Sequence, residues 1–252
     1  MIHLLTMKFE NKDKLDLLII VVHPDDAELG CAGTILKAVD SGKRVGVVDL
    51  TQGELGTRGT AATRFEEAAK ASQLLGIAVR ENLKMRDGFF RNDEEHQLKV
   101  IEVIRRYQPE IIITNALRDR HPDHGRASQL VNDAVFLSGL RRITTSDKEG
   151  EQEPHRPRLL LELIQDRYIK PDIVVDISEY WEEKIAVIQA FRSQFFNSDY
   201  QVEEPQTYIS RPEFMKAIES RAIEYGKDIQ VSHAEGFTCS RYLGVNSLFD
   251  LL

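Results

Sequence analysis

Residues 15–26 read Leu-Asp-Leu-Leu-Ile-Ile-Val-Val-His-Pro-Asp-Asp, and residues 109–124 read Pro-Glu-Ile-Ile-Ile-Thr-Asn-Ala-Leu-Arg-Asp-Arg-His-Pro-Asp-His. Both are aliphatic runs, without polar alternation, that lead into His-Pro-Asp. Such a run fits a strand covered on both faces, as in a parallel sheet. Two further runs, 43–50 and 77–83, lie between them, and helical patterns separate the four. In 29–41, Leu29, Ala32, Ile35, Leu36 and Val39 recur at helical spacing before Gly42. The stretch 63–75 is rich in Ala and Glu and stops at Gly76, 93–107 sets Leu98, Ile101, Ile104 and Tyr107 on one face, and 125–139 is helical again. This alternation predicts an α/β fold, a Rossmann-like three-layer sandwich with a mostly parallel sheet. Right-handed crossovers and the strand order 3-2-1-4 place the first and fourth strands side by side. Both His-Pro-Asp segments then flank the topological switch point, where ligands bind in such sheets.

The second half is less regular. Residues 146–157 are charged and contain proline, the pattern of a mobile surface loop, and 159–164 and 173–177 read as strands. A helix is expected over 180–191, then a polar connection over 197–210. Ser210, followed by Pro212 and Glu213, resembles an N-cap for a helix running to Tyr225 and stopping at Gly226. No linker marks a boundary, so 1–252 reads as a single domain, with a doubly wound half over about 15–140 and an irregular half over about 141–252.

Composition excludes several classes. Apolar residues make up 42% and charged residues 29%, close to globular averages, which excludes global disorder and a fibre. Lys and Arg number 33 against 41 acids, and the resulting charge of −8 argues against general binding of nucleic acid or of an anionic membrane. The longest aliphatic run, 17–22, is too short to span a bilayer, and the apolar start of the chain is too short for a signal segment. Met7 offers a second start. Cys31 and Cys239 form no Cys-x-x-Cys pair, so they are expected as buried thiols in a reducing compartment. A cytoplasmic protein is the expectation.

The two His-Pro-Asp segments bring His23, Asp25, Asp26, His121, Asp123 and His124 to one predicted crevice. Two imidazoles and one carboxylate with an open position make a catalytic site for zinc or a similar divalent ion. A single His-Pro-Asp is a common turn; two at the ends of adjacent strands are a site. Spacing alone leaves open which His and which Asp would bind the ion. Gly30-Cys31-Ala32-Gly33 lacks dinucleotide-binding spacing and reads as close helix–sheet packing. The glycine-rich stretch 53–59 carries Arg58, which can clamp an anion or merely sit in a surface loop. Arg118, Arg120 and Arg126 surround the second motif, Arg86-Asp87-Gly88 reads as a turn, and His3, His96 and His155 read as exposed bystanders.

The motifs Val22-His23-Pro24-Asp25-Asp26 and His121-Pro122-Asp123-His124 resemble those of the PIG-L/LmbE-like zinc deacetylases, with Val22 in place of the usual small residue. The resemblance runs from about Leu15 to Phe237. It looks closest to the branch that deacetylates N-acetylglucosaminyl-malate in bacillithiol biosynthesis, through segments 49–60, 86–90 and Ala234-Glu235-Gly236-Phe237. The resemblance implies an LmbE-like fold, a homo-oligomer, and hydrolysis of the acetamide of a small N-acetylglucosaminide. It implies Zn2+, with Fe2+ an alternative, held by His23, Asp26 and His124. Asp25 would be the general base, and His121, oriented and kept charged by Asp123, would stabilise the oxyanion. His233 stands where similar proteins carry tyrosine and would contact the tetrahedral intermediate. Arg58, and after it Arg126, would bind the carboxylates of the malate half. The alternatives are another N-acetylglucosaminide or chitooligosaccharide as substrate, or a sugar- or nucleotide-binding module without turnover.

Overall fold

The computed structural model describes residues 14–197, 200 and 203–251; His3 and the Met7 start lie outside them. Seven strands form one sheet, four from the first half of the chain and three from the second. The first half supplies β1 (Leu17–Val21), α1 (Asp26–Asp40), β2 (Val45–Thr51), α2 (Ala61–Leu75), β3 (Val79–Met85), α3 (Glu94–Tyr107), β4 (Ile111–Thr114) and α4 (Pro122–Ser138). β1 pairs in parallel with both β2 and β4, Leu17 standing between Val45 and Ile111, which is the 3-2-1-4 order expected from the sequence. All five side chains of β1 are buried, because helices cover both faces. Leu17, Ile19 and Val21 face a core shared with α1, α2 and two helices of the second half, whereas Leu18 and Ile20 face one shared with α3 and α4. The period-two alternation of side chains splits the run between two hydrophobic layers.

The second half extends the same sheet through β7 (Leu159–Leu163), β8 (Ile173–Asp176), α5 (Trp181–Ile188), α6 (Pro212–Asp228) and β9 (Ala234–Thr238). β7 is parallel to β4, while β9 runs antiparallel between β7 and β8, so the sheet order is β3-β2-β1-β4-β7-β9-β8. Residues 146–157, expected as a mobile loop, hold a short hairpin of β5 (Ser146–Asp147) and β6 (Gly150–Glu151), behind which the buried Gln152 donates to Glu102 O at 3.0 Å. Ser210 does not cap α6. The N-cap is Arg211, and the Ser210 hydroxyl instead closes a turn with Thr207. α6 also continues past Gly226 to Asp228. Cys31 is buried, but Cys239 is only half-buried.

α1 is broken near its start. Cys31 leaves helical geometry (φ −150°, ψ 25°), separating the turn that carries Asp26 from the rest. The break exposes backbone donors and an acceptor that need partners. Glu235 of β9 accepts from Gly33 N–H at 3.0 Å and Thr34 N–H at 2.7 Å. Lys184 of α5 donates to Leu29 O at 2.9 Å and to Glu235 at 2.6 Å. One buried ion pair thus fills the gap. The neighbouring glycines permit close packing: a Cβ on Gly30 would lie 2.6 Å from Leu163, and one on Gly33 2.7 Å from Ile177.

Candidate metal and active site

The loops after β1, β2, β3, β4 and β7 meet at one crevice of about 420 Å3. These are C-terminal ends of parallel strands, the usual ligand side of such a sheet. Its floor carries His23, Asp25, Asp26, His121 and His124. The chain reaches this arrangement by placing Asn115, just past β4, beside β1: its side chain accepts from Val22 N–H at 2.9 Å and donates to Asp26 at 3.0 Å.

Asp26 lies between two imidazoles, 3.6 Å from His23 Nδ1 and 3.2 Å from His124 Nε2. The first distance runs to Oδ2 and the second to Oδ1, and each is near the ligand–ligand edge of about 3.3 Å expected for metal–ligand bonds near 2.0–2.1 Å. Each imidazole is held from behind by a carboxylate. Asp87 is 3.0 Å from His23 Nε2, and Asp119 is 2.6 Å from His124 Nδ1. Carboxylate–histidine pairing of this kind fixes ring orientation in metal sites. Gln165 donates to Asp26 Oδ1 at 2.8 Å and, with the Asn115 amide, holds the remaining face of the carboxylate. Two imidazoles and one carboxylate, all bordering the crevice, therefore fit a divalent ion. Zinc and iron(II) both accept this donor set.

The electrostatics agree. Burial alone would lower His23, but its bonds to Asp26 and Asp87 and the charge of Asp26 raise it to about 9. Burial likewise opposes a charged His124, yet Asp26 and Asp119 carry it up to about 10. Burial would raise Asp26, and the two histidines hold it well below the usual carboxylate range instead. The buried carboxylate thus attracts positive charge, and a divalent ion can take the place of the two protons.

Asp25 points into the crevice from a left-handed backbone (φ 146°), a strained geometry for a non-glycine residue. Its carboxylate is held at 2.6 Å by Arg64, which also donates to Pro24 O at 2.9 Å. Burial raises Asp25 to about 7, against the opposing charge of Arg64.

His121 departs from its expected electrostatics. Burial first, then the charges of His23 and His124, lower it below the ordinary histidine value, outweighing Asp123. Nor does the Asp123 carboxylate orient the ring: it accepts from Gly88 N–H at 2.8 Å and from Arg126 at 2.7 Å. Asp123 acts through its main chain, donating N–H to His121 Nδ1 at 3.3 Å. That bond leaves Nε2 to carry the proton of the neutral ring. The rings of His23, His121 and His124 each bring a nitrogen within 4.8 Å of the other two, but this use of Nδ1 separates His121 from the pair that flanks Asp26.

The other expected residues divide. Arg58 lines the crevice, but its guanidinium is committed to Ser193 O at 2.7 Å and Pro205 O at 3.2 Å, so it ties two loops together. Arg126 lies outside the crevice lining and donates to Asp123 and Gly88 O. His233 is also outside the lining and stacks on Trp181 with ring centres 4.3 Å apart. Asp87, Asp119, Arg64, Asn115 and Gln165 were not singled out from the sequence. Asp87 and Asp119 sit in the loops already suspected, whereas Arg64 and Gln165 carry no local signal.

The sequence profile of the PIG-L family, described as GlcNAc-PI de-N-acetylase, matches residues 18–135. A diacetylchitobiose deacetylase of Thermococcus kodakarensis is 30% identical over 235 residues, 89% of this chain and 82% of its own. The chain belongs to the PIG-L family. It is a hydrolytic N-deacetylase. PIG-L deacetylases are metal-dependent, and a cluster of His and Asp side chains is present in this chain. The crystal structure of a conserved protein of Thermus thermophilus is similar to this fold with a TM-score of 0.81 at 35% identity, over 92% of this chain and 98% of its own. A protein of Bacillus anthracis named as a probable N-acetyl-alpha-D-glucosaminyl L-malate deacetylase is a more distant match, 25% identical over 73% of this chain and 83% of its own. A 4-oxalmesaconate hydratase of Pseudomonas putida is 27% identical over 76% and 79%.

Proposed function

We propose that this enzyme removes acetate from a neutral N-acetylglucosaminide of disaccharide size, in preference to the malate glycoside expected from the sequence. The commitment of the crevice arginines supports this reading. Among the described lining residues, Arg58 binds loop carbonyls, Arg64 binds Asp25, Arg120 lies 3.2 Å from Asp166, and Arg221 donates to Ile164 O and Asp166 O. A dicarboxylate would have to share each of these guanidinium groups with its protein partner, whereas a neutral sugar needs no countercharge. The similarity to a diacetylchitobiose deacetylase points the same way.

The metal is proposed to be zinc or iron(II), on His23, Asp26 and His124. Such an ion supplies Lewis acidity toward an amide carbonyl and acidifies water. Asp25 takes a proton from the attacking water, and that proton leaves with the amine when the C–N bond breaks, releasing acetate. His121 donates its Nε2–H to the carbonyl oxygen as charge develops there. Asp123 fixes the tautomer that makes this donation available.

Acetate release from diacetylchitobiose, N-acetylglucosamine and N-acetylglucosaminyl-malate, each with and without a chelator, tests the reading. Chelator-sensitive release that is fastest from the disaccharide is expected; faster release from the malate glycoside would sink it. We further propose a single domain over residues 1–252 that works as a cytoplasmic homo-oligomer. Strands from both halves join one seven-stranded sheet, and Tyr242, Leu248 and Phe249 are exposed near the C-terminus. No described helix is long and apolar enough to cross a membrane.

A further inference from the structure

Beyond the reacting centre the crevice has a second, differently built region. Tyr208 is half exposed and lines the wall. Its ring lies under the Arg120 guanidinium, 4.8 Å from centre to carbon, and meets the edge of Phe214 at 5.4 Å. The Asp166 carboxylate joins the group, 3.2 Å from Arg120 Nε, and it too lines the crevice. Ile209 and Ile218 continue the apolar wall. The region is registered to the chemistry. Asp119, which holds His124, also accepts from the backbone N–H of Asp166 at 3.0 Å and of Arg167 at 2.8 Å. Arg120 is the residue before His121.

We infer that Tyr208, Arg120 and Asp166 form a subsite for the second, non-reacting sugar ring of the substrate. The inference rests on the proposed deacetylation of an N-acetylglucosaminide and adds where the rest of that molecule lies. A pyranose ring has an apolar C–H face and a rim of hydroxyls. An aromatic wall flanked by one fixed donor and one fixed acceptor complements both, and a few placed polar groups on an apolar lining are how such pockets set orientation. Because Asp119 ties this wall to a candidate metal ligand, binding of the remote ring can align the acetamide at the centre and so contribute to turnover as well as affinity.

The test compares metal-loaded wild type with Tyr208→Ala on diacetylchitobiose and N-acetylglucosamine. The ratio of kcat/KM for the disaccharide over the monosaccharide should fall roughly tenfold or more in the variant. An unchanged ratio, whether both activities fall or neither does, overturns the subsite. Calorimetric binding of diacetylchitobiose to the metal-free proteins gives a readout that needs no turnover, and affinity should again weaken roughly tenfold in the variant. Equal affinities overturn the subsite even where acetate release is normal. Failure of the wild type to release acetate from either sugar would instead reject the deacetylation reading.

Discussion

The loop after β1 and the strand β9 face each other across the break in α1, and they serve one site in different ways. The first carries groups that border the crevice: His23, Asp25 and Asp26 follow one another along the chain, and their matching partners His121 and His124 arrive from the neighbouring parallel strand. The second carries a group that never reaches the crevice. Glu235 is buried and bonded to the Gly33 and Thr34 amides beyond the break and to Lys184, whose bond to Leu29 O reaches the turn that carries Asp26. The difference separates residues that can do the chemistry from residues that set where they stand. The reactive groups all come from the doubly wound half, whereas the supports come from both halves: Asp87, Asp119 and Asn115 from the first, Gln165, Lys184 and Glu235 from the second.

The comparison can be broken at several points. His124→Ala should abolish metal retention and turnover together, as measured by metal analysis of the purified protein; full metal content in this variant would remove His124 from the ligand set. His121→Ala should keep the metal and lose about 10²–10³ in kcat, the usual cost of one transition-state donor. Glu235→Gln tests the supporting side. It leaves Lys184 without its buried countercharge, so the expected loss of stability is about 3–5 kcal/mol in a denaturant titration. Metal affinity should weaken by at most about tenfold, the lower figure for direct partners of ligands, because Glu235 acts only through Lys184 and the backbone. A loss of metal as complete as that of His124→Ala would erase the distinction between the two regions. Arg58→Ala should have the smallest effect, a rise in KM of at most about fivefold, because a loop tie is lost rather than a substrate contact. Equal rises for neutral and malate-bearing substrates are expected; a rise confined to the malate glycoside would restore Arg58 as an anion clamp.

Much of the first half was legible because its signals are local. An aliphatic run ending in His-Pro-Asp states both that a strand is buried and where it ends, and the known handedness of crossovers places two such ends together. The second half was less so. Ala234–Thr238 reads as a motif but not as a strand, since Glu235 and Gly236 break any β pattern. It becomes β9 because the edges of β7 and β8 need hydrogen-bond partners and because Glu235 finds its charge partner on α5. Residues 146–157 look like a loop by composition, yet part of them pairs as a hairpin.

The sequence by itself determined the α/β class, the 3-2-1-4 order and the gathering of three histidines and three carboxylates at one sheet end. These follow from periodicity and chain connectivity, which every residue carries locally. Only the tertiary structure decided what each charged group is free to do. Arg58 and Arg126 are recognisable as cations in the sequence, but both are already spent on loop carbonyls and on Asp123. His233 is directed to Trp181, and His121 takes its tautomer from a backbone amide. Even the net charge of −8 described a whole surface, whereas the site depends on a few pairs at hydrogen-bond distance. A hydrogen bond or ion pair depends on fractions of an ångström between residues far apart in the chain, and only the packed fold sets those distances.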